Sequence, residues 1–140
     1  MALAEIGSSI AGTWVLVKNE NMDDYLKEIG VNFVLRKIAA AASSTMTISV
    51  EGDQVRIITK GPKDSDTSFK LGEEVESNDP QDNPMKATVI WEDGKLITTA
   101  KPTEGSKAKA TRVERRIEGD QLIMDVSVNA VMMRRIWKKK

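Results

Sequence analysis

The chain has 140 residues, enough for one domain spanning 1–140 with a sizeable core, and its 21 basic and 21 acidic residues cancel. A neutral balance gives no case for a nucleic-acid partner. The sequence contains neither cysteine nor histidine, which excludes a disulfide scaffold and removes the usual general base, the commonest metal ligand and every Ser-His or Cys-His arrangement.

The first predicted strand runs over Ile10–Lys18, which is β-branched and aromatic. The period then changes. Met22, Tyr25, Leu26 and Ile29 are spaced i, i+3, i+4, i+7, one face of a helix, with Asn21 placed to cap its start and Gly30 to end it. A second helix follows Asn32. It carries the apolar stripe Val34, Leu35, Ile38 and Ala42, with Arg36 and Lys37 beside it. From Thr45 the period is two. Met46, Ile48 and Val50 alternate, Glu51-Gly52-Asp53 turns the chain, and Val55 to Lys60 returns. Short strand pieces are predicted at Ser68–Leu71 and Glu74–Glu76, then a polar loop from Asn78 to Pro84. Met85 to Trp91 alternates, Asp93-Gly94 is a strong hairpin signal, and Leu96 to Lys101 comes back.

The last three strands are the most informative. Over Thr111–Glu118 one face is fully charged (Arg112, Glu114, Arg116, Glu118), which leaves Arg115 on the apolar face between Val113 and Ile117. Leu122, Met124, Val126 and Val128 share a face of the next strand. In the last strand Val131, Met133, Arg135 and Trp137 form one face and Ala130, Met132, Arg134 and Ile136 the other. Either choice puts another arginine among apolar side chains. Burying that charge costs several kcal/mol unless it is paired, and arginine does not escape by losing its proton. Two inward arginines call for an anion, which a ligand could supply. The competing reading is that both snorkel to solvent. One strand, two short helices and about nine short strands with tight turns predict an all-β antiparallel sandwich or barrel. A closed meander of this size can hold a ligand cavity.

Gly12-Thr13-Trp14, then Asn19 through Val31, then Arg36-Lys37-Ile38-Ala39, resembles the N-terminal signature of the intracellular fatty-acid-binding protein family. Glu51-Gly52-Asp53, Ser68 through Glu74 and Asp93-Gly94-Lys95-Leu96 match the same family in order, so the resemblance covers nearly the whole chain. It implies a ten-stranded antiparallel up-and-down barrel, or clam, closed by a helix-turn-helix lid after the first strand. It also implies a cytoplasmic monomeric carrier of a long-chain fatty acid or similar hydrophobic carboxylate, with no enzyme activity, metal or cofactor. Many members hold the carboxylate with two arginines and a tyrosine. Counting back from Leu122 puts the first arginine on Arg115; counting forward without a gap puts the second on Arg135 and the tyrosine on Trp137. A gap of one residue would choose Arg134 and Ile136. Trp137 departs from the family, having an indole N–H donor and no phenolic hydroxyl. So do Met22, where the family has a phenylalanine, and Pro62, near a frequent portal phenylalanine.

The expected site is therefore Arg115 and Arg135 on a carboxylate, Trp137 as auxiliary donor, and Met22, Tyr25, Leu26, Val113, Met124 and Val126 lining the apolar remainder. Ordinary core packing is the alternative role for those six. Arg36 and Lys37 are expected to give transient contact with anionic membranes, or else to be a solvated helix face. A retinoid carrier on the same fold and a peripheral membrane protein are the alternative functions. Trp14 is expected to plug one end of the barrel.

Overall fold

The computed structural model describes residues 2–61, 64–79 and 81–140, so Pro62 lies outside the described residues. The elements in order are α1 (Ala2–Ser8), β1 (Gly12–Glu20), α2 (Met22–Glu28), α3 (Phe33–Ala41), β2 (Thr45–Glu51), β3 (Gln54–Lys60) and β4 (Ser65–Lys70). They continue with β5 (Val75–Asn78), β6 (Pro84–Glu92), β7 (Lys95–Pro102), β8 (Thr111–Glu118), β9 (Gln121–Val128) and β10 (Val131–Lys139). The ten strands make one antiparallel sheet in the order β4-β3-β2-β1-β10-β9-β8-β7-β6-β5. Chain neighbours pair throughout, β1 closes onto β10, and among the described residues no ladder joins β4 to β5. This is the expected ten-stranded clam with two helices inserted after the first strand.

The tight turns follow from local chemistry. Asp93 and Gly94 both take left-handed backbone (φ 53° and 76°), the pairing a two-residue hairpin between right-twisted strands requires. Gly30 (φ 88°) ends α2: its N–H bonds Lys27 O at 3.1 Å while Val31 N–H bonds Leu26 O at 2.9 Å. Asn32 caps α3 as expected, its Oδ1 accepting from Leu35 N–H at 2.9 Å.

Three expectations need correction. Asn21 does not cap α2 with its side chain; it sits in left-handed backbone (φ 61°), and its Nδ2 donates to Met132 O at 2.8 Å, tying the lid to β10. The first strand begins at Gly12 rather than Ile10, because the residues before it form a helix that the sequence reading did not propose. The short strand pieces expected at Ser68–Leu71 and Glu74–Glu76 run instead over Ser65–Lys70 and Val75–Asn78. On the second helix, Val34, Leu35 and Ile38 of the apolar stripe face solvent together with Phe33, each 49% to 65% exposed.

The overlooked helix α1 closes the lower end of the barrel. Ile6 and Ile10 are fully buried against Trp14, Met46, Ile48 and Trp137. Each such side chain contributes about 1.5–3 kcal/mol by leaving water. Ile6 O accepts from both Ile10 N–H (3.1 Å) and Ala11 N–H (3.0 Å), and Ile10 O accepts from Trp14 Nε1 at 2.9 Å, so the indole is fixed as well as buried. The upper end is covered by α2, where Tyr25 packs on Val126, Val128 and Met133. There Asn129 Nδ2 donates to Glu28 Oε1 (2.9 Å) and Lys109 Nζ to Glu28 O (2.6 Å). By contrast α3 packs mainly on α2, held through Arg36, which bonds Asp23 Oδ1 at 3.0 Å and Val31 O at 2.8 Å.

Candidate functional site

The interior can be read as rows running across the strands, because residues paired in register point to the same side of the sheet. The lowest row is apolar: Ile117 pairs with Leu122, Leu122 with Trp137, and Trp137 with Leu16. The next is Leu96, Arg115, Met124, Arg135 and Asn19 on β7, β8, β9, β10 and β1. Above it come Thr98, Val113, Val126 and Met133, directly under α2. A charged layer is thus set between an apolar floor and an apolar ceiling, with the two arginines two strands apart and Met124 between them.

Arg135 faces this interior and Arg134 faces out. Arg134 Nε bonds Asp125 Oδ1 at 2.8 Å, and Arg116 Nη1 bonds Asp125 Oδ2 at 2.8 Å, so the outer arginines share one carboxylate. The inner pair has no such partner: among the described residues no carboxylate lies within ion-pair distance of Arg115 or Arg135. Arg135 Nε donates to Asn19 Oδ1 at 2.8 Å, and its guanidinium lies 5.1 Å from the centre of the Trp137 ring. Arg115 is buried, and its Nε has no hydrogen-bond partner among the described residues. Burial first, and the Arg135 charge second, pull its pKa down to about 10. Burial also lowers that of Arg135. Trp137 Nε1, at a residue with no exposed surface, is likewise unpartnered.

The six expected apolar lining residues come together in one cluster, Met124 within this layer and the other five above it. Tyr25 and Val126 are buried, and Met22, Leu26, Val113 and Met124 pack partly buried against them. Burial, with the Asp79 carboxylate as a smaller contribution, pushes the Tyr25 hydroxyl up to about 12. A cavity of about 120 Å³ opens beside Arg115, lined by Ile57, Thr59, Ser65, Thr67, Phe69, Thr98 and Val113. A larger hollow of about 590 Å³ lies elsewhere, where β1 leaves β2 beneath Arg36, between Leu16–Asn19 and Ala40–Ser43. It is a cleft at the barrel wall, since Leu16 and Asn19 face inward while Val17 and Lys18 are exposed. Among the described residues the buried side-chain polar atoms without partners, Arg115 Nε, Trp137 Nε1 and Thr98 Oγ1, all lie in or beside the arginine layer and not at this cleft.

Two polar residues of the site escaped the sequence reading. Asn19 points inward only because β1 bulges between Leu16 and Lys18, which shifts the alternation by one residue. Strict period two from Trp14 puts Asn19 outside. Thr98 was within reach, two residues from the buried Leu96 on the same face. Arg36 has a different place from the one expected, for its side chain is only 13% exposed and engaged with Asp23, leaving Lys37 as the freer cation on α3.

Comparison with known proteins agrees with this architecture. A sequence profile described as the lipocalin / cytosolic fatty-acid binding protein family matches residues 11–140. Human fatty acid-binding protein 9 is 36% identical over 129 residues, covering 91% of this chain and 95% of that protein. The solved structure of a fatty-acid-binding protein in brain tissue of Drosophila melanogaster superposes with a TM-score of 0.83 at 31% identity, covering 93% of this chain and 99% of that one. Apo Caenorhabditis elegans lipid binding protein 8 superposes with a TM-score of 0.87 at 28% identity, over 94% of this chain and 95% of that one.

Proposed function

The chain belongs to the lipocalin / cytosolic fatty-acid binding protein family, and from that premise we propose that it is a cytoplasmic, monomeric, non-enzymatic carrier of a long-chain fatty acid. The ligand carboxylate is held by Arg115 and Arg135, with Trp137 Nε1 as an auxiliary donor. The observation that carries this reading is the buried Arg115 guanidinium, which has an unpartnered Nε and a second arginine as its neighbour. An anion between the two arginines would relieve their repulsion and supply the missing acceptor through short charge-assisted hydrogen bonds. Trp137 Nε1 is orphaned in the row immediately below. Hydrocarbon then runs upward past Met124, Val113 and Val126 to Met22, Tyr25 and Leu26. Burial at about 0.8 kcal/mol per methylene lets the chain set affinity, while the arginines set orientation and headgroup class.

The same proposal extends to how the ligand reaches the cavity. Phe33, Val34, Leu35 and Ile38 form an exposed apolar face on α3, with Lys37 Nζ 5.2 Å from the Phe33 ring centre. A short helix with an apolar face and a basic flank suits transient contact with an anionic bilayer.

Calorimetric titration of the delipidated protein with stearic acid and with stearyl alcohol tests the headgroup role. The expected result is one-to-one binding of the acid, with Arg135→Ala weakening the acid far more than the alcohol. Equal losses for the two would refute the carboxylate role. For the membrane step, transfer of a fluorescent fatty acid to vesicles is expected to speed up with anionic lipid and to slow in Val34→Ser/Ile38→Ser. Rates indifferent to both changes would remove it.

A further inference from the structure

The cavity beside Arg115 carries four hydroxyl side chains, Thr59, Ser65, Thr67 and Thr98. Thr98 lies opposite Val113 and diagonally from Arg115, and diagonal neighbours stand roughly 7–8 Å apart. Its Oγ1 is buried and has no hydrogen-bond partner among the described residues. Thr98, Val113 and Arg115 form one side of the cavity of about 120 Å³; Ile57, Thr59, Ser65, Thr67 and Phe69 form the other. Such a space holds more than one water, each needing about 10–15 Å³. A plain methylene segment laid through it offers Thr98 Oγ1 no partner, which leaves that buried hydroxyl on the costly side of the hydrogen-bond balance.

We propose that this cavity selects fatty acids hydroxylated on the carboxyl-proximal part of the chain. The ligand hydroxyl pairs with Thr98 Oγ1 while the carboxylate meets Arg115 and Arg135. The inference rests on the carrier reading above and narrows its ligand class. A threonine hydroxyl both donates and accepts, so it suits an alcohol in either sense. The diagonal spacing decides the position: with the carboxylate in the arginine row, the hydroxyl one row higher belongs near the headgroup. Farther up, the chain meets the apolar side chains of α2, Met22, Tyr25 and Leu26.

The test is calorimetric titration of the delipidated protein with stearic acid and a positional series of monohydroxystearic acids, using wild type, Thr98→Val and Thr98→Ser. In wild type a carboxyl-proximal hydroxyl is expected to tighten binding about two- to tenfold over stearic acid, the value of one net hydrogen bond. Hydroxyls near the methyl end are expected to weaken it. Thr98→Val is expected to abolish the preference, and Thr98→Ser to keep it. Should Thr98→Val fold poorly, the wild-type ratio and the serine variant still decide. Equal affinity for proximal hydroxystearic and stearic acids in wild type, or a preference that survives in Thr98→Val, would overturn the inference and leave the carrier reading intact. Failure of stearic acid itself to bind would overturn both.

Discussion

Replacing Arg115 by methionine is expected to stabilise the empty barrel while weakening its hold on a fatty acid. Burial and the neighbouring Arg135 charge bring the Arg115 pKa down to about 10. Relative to the unfolded chain, carrying that proton inside is disfavoured by about 3 kcal/mol. The lowered pKa means that the unfolded state binds the proton more tightly, so the penalty is present at neutral pH and fades only above about pH 10. Methionine removes the charge and its repulsion of Arg135 while keeping most of the volume. Exchanging a buried ion for a packed apolar side chain typically gains about 1–4 kcal/mol, and the adjoining cavity, which methionine does not fill, argues for the middle of that range, about 2 kcal/mol. For a chain of this size that is roughly a 6–8 °C rise in Tm. Binding moves the other way. Loss of a hydrogen bond to a charged group, about 1.5–3 kcal/mol, weakens a fatty acid roughly tenfold to a hundredfold and leaves a fatty alcohol nearly unchanged. Urea and thermal unfolding of delipidated protein, paired with calorimetric titration, measure both. A variant that melts lower when empty, or that loses acid and alcohol alike, would refute the view of Arg115 as an ion awaiting its partner.

Two further expectations concern the ends of the barrel. Burial and then Asp79 push the Tyr25 hydroxyl up to about 12, so the folded state keeps its proton where the unfolded chain releases it. Its contribution, about 2–3 kcal/mol, is complete below about pH 10 and is lost as pH rises through about 12. The urea midpoint of wild type should therefore fall relative to Tyr25→Phe across that window, and parallel curves would contradict it. At the other end, Ile6→Ala is expected to destabilise by about 2–5 kcal/mol through the cavity left against Trp14 and Ile10. A loss under 1 kcal/mol in urea unfolding would mean that α1 is only loosely seated.

Much of this was written in the alternation of the chain. Arg115 is inward because its neighbours two residues away are Val113 and Ile117, and the charged opposite face left no other choice. The last strand was different, since both its faces mix apolar residues with one arginine. What separates Arg135 from Arg134 is Asp125 on the outer face of β9, which pairs with Arg134. A partner on a neighbouring strand is invisible to periodicity within one strand. The inward turn of Asn19 depends on the bulge at Val17, which leaves no residue signature. The helix α1 was legible in part, for Leu3, Ile6 and Ile10 follow helical spacing. Seven residues ending beside Gly7 and two serines fall below the length at which propensity persuades, and tertiary burial supplies the rest. The outward stripe on α3 shows the converse: an apolar face specifies that something covers it, without specifying that this chain does.

The way α3 is mounted has a consequence for how such a protein can evolve. Because α3 leans mainly on α2 through Arg36, lifting it disturbs neither the strand ladders nor the two apolar clusters inside the barrel. Its opening is a local event, with a free energy well below that of unfolding the whole chain. On the carrier reading proposed above, with α3 as the element that meets the membrane, the pace of cargo exchange and the durability of the container are expected to depend on separate residues. Substitutions at Asp23, Arg36 or Phe33, which loosen α3 alone, are then expected to change turnover while the fold keeps its margin.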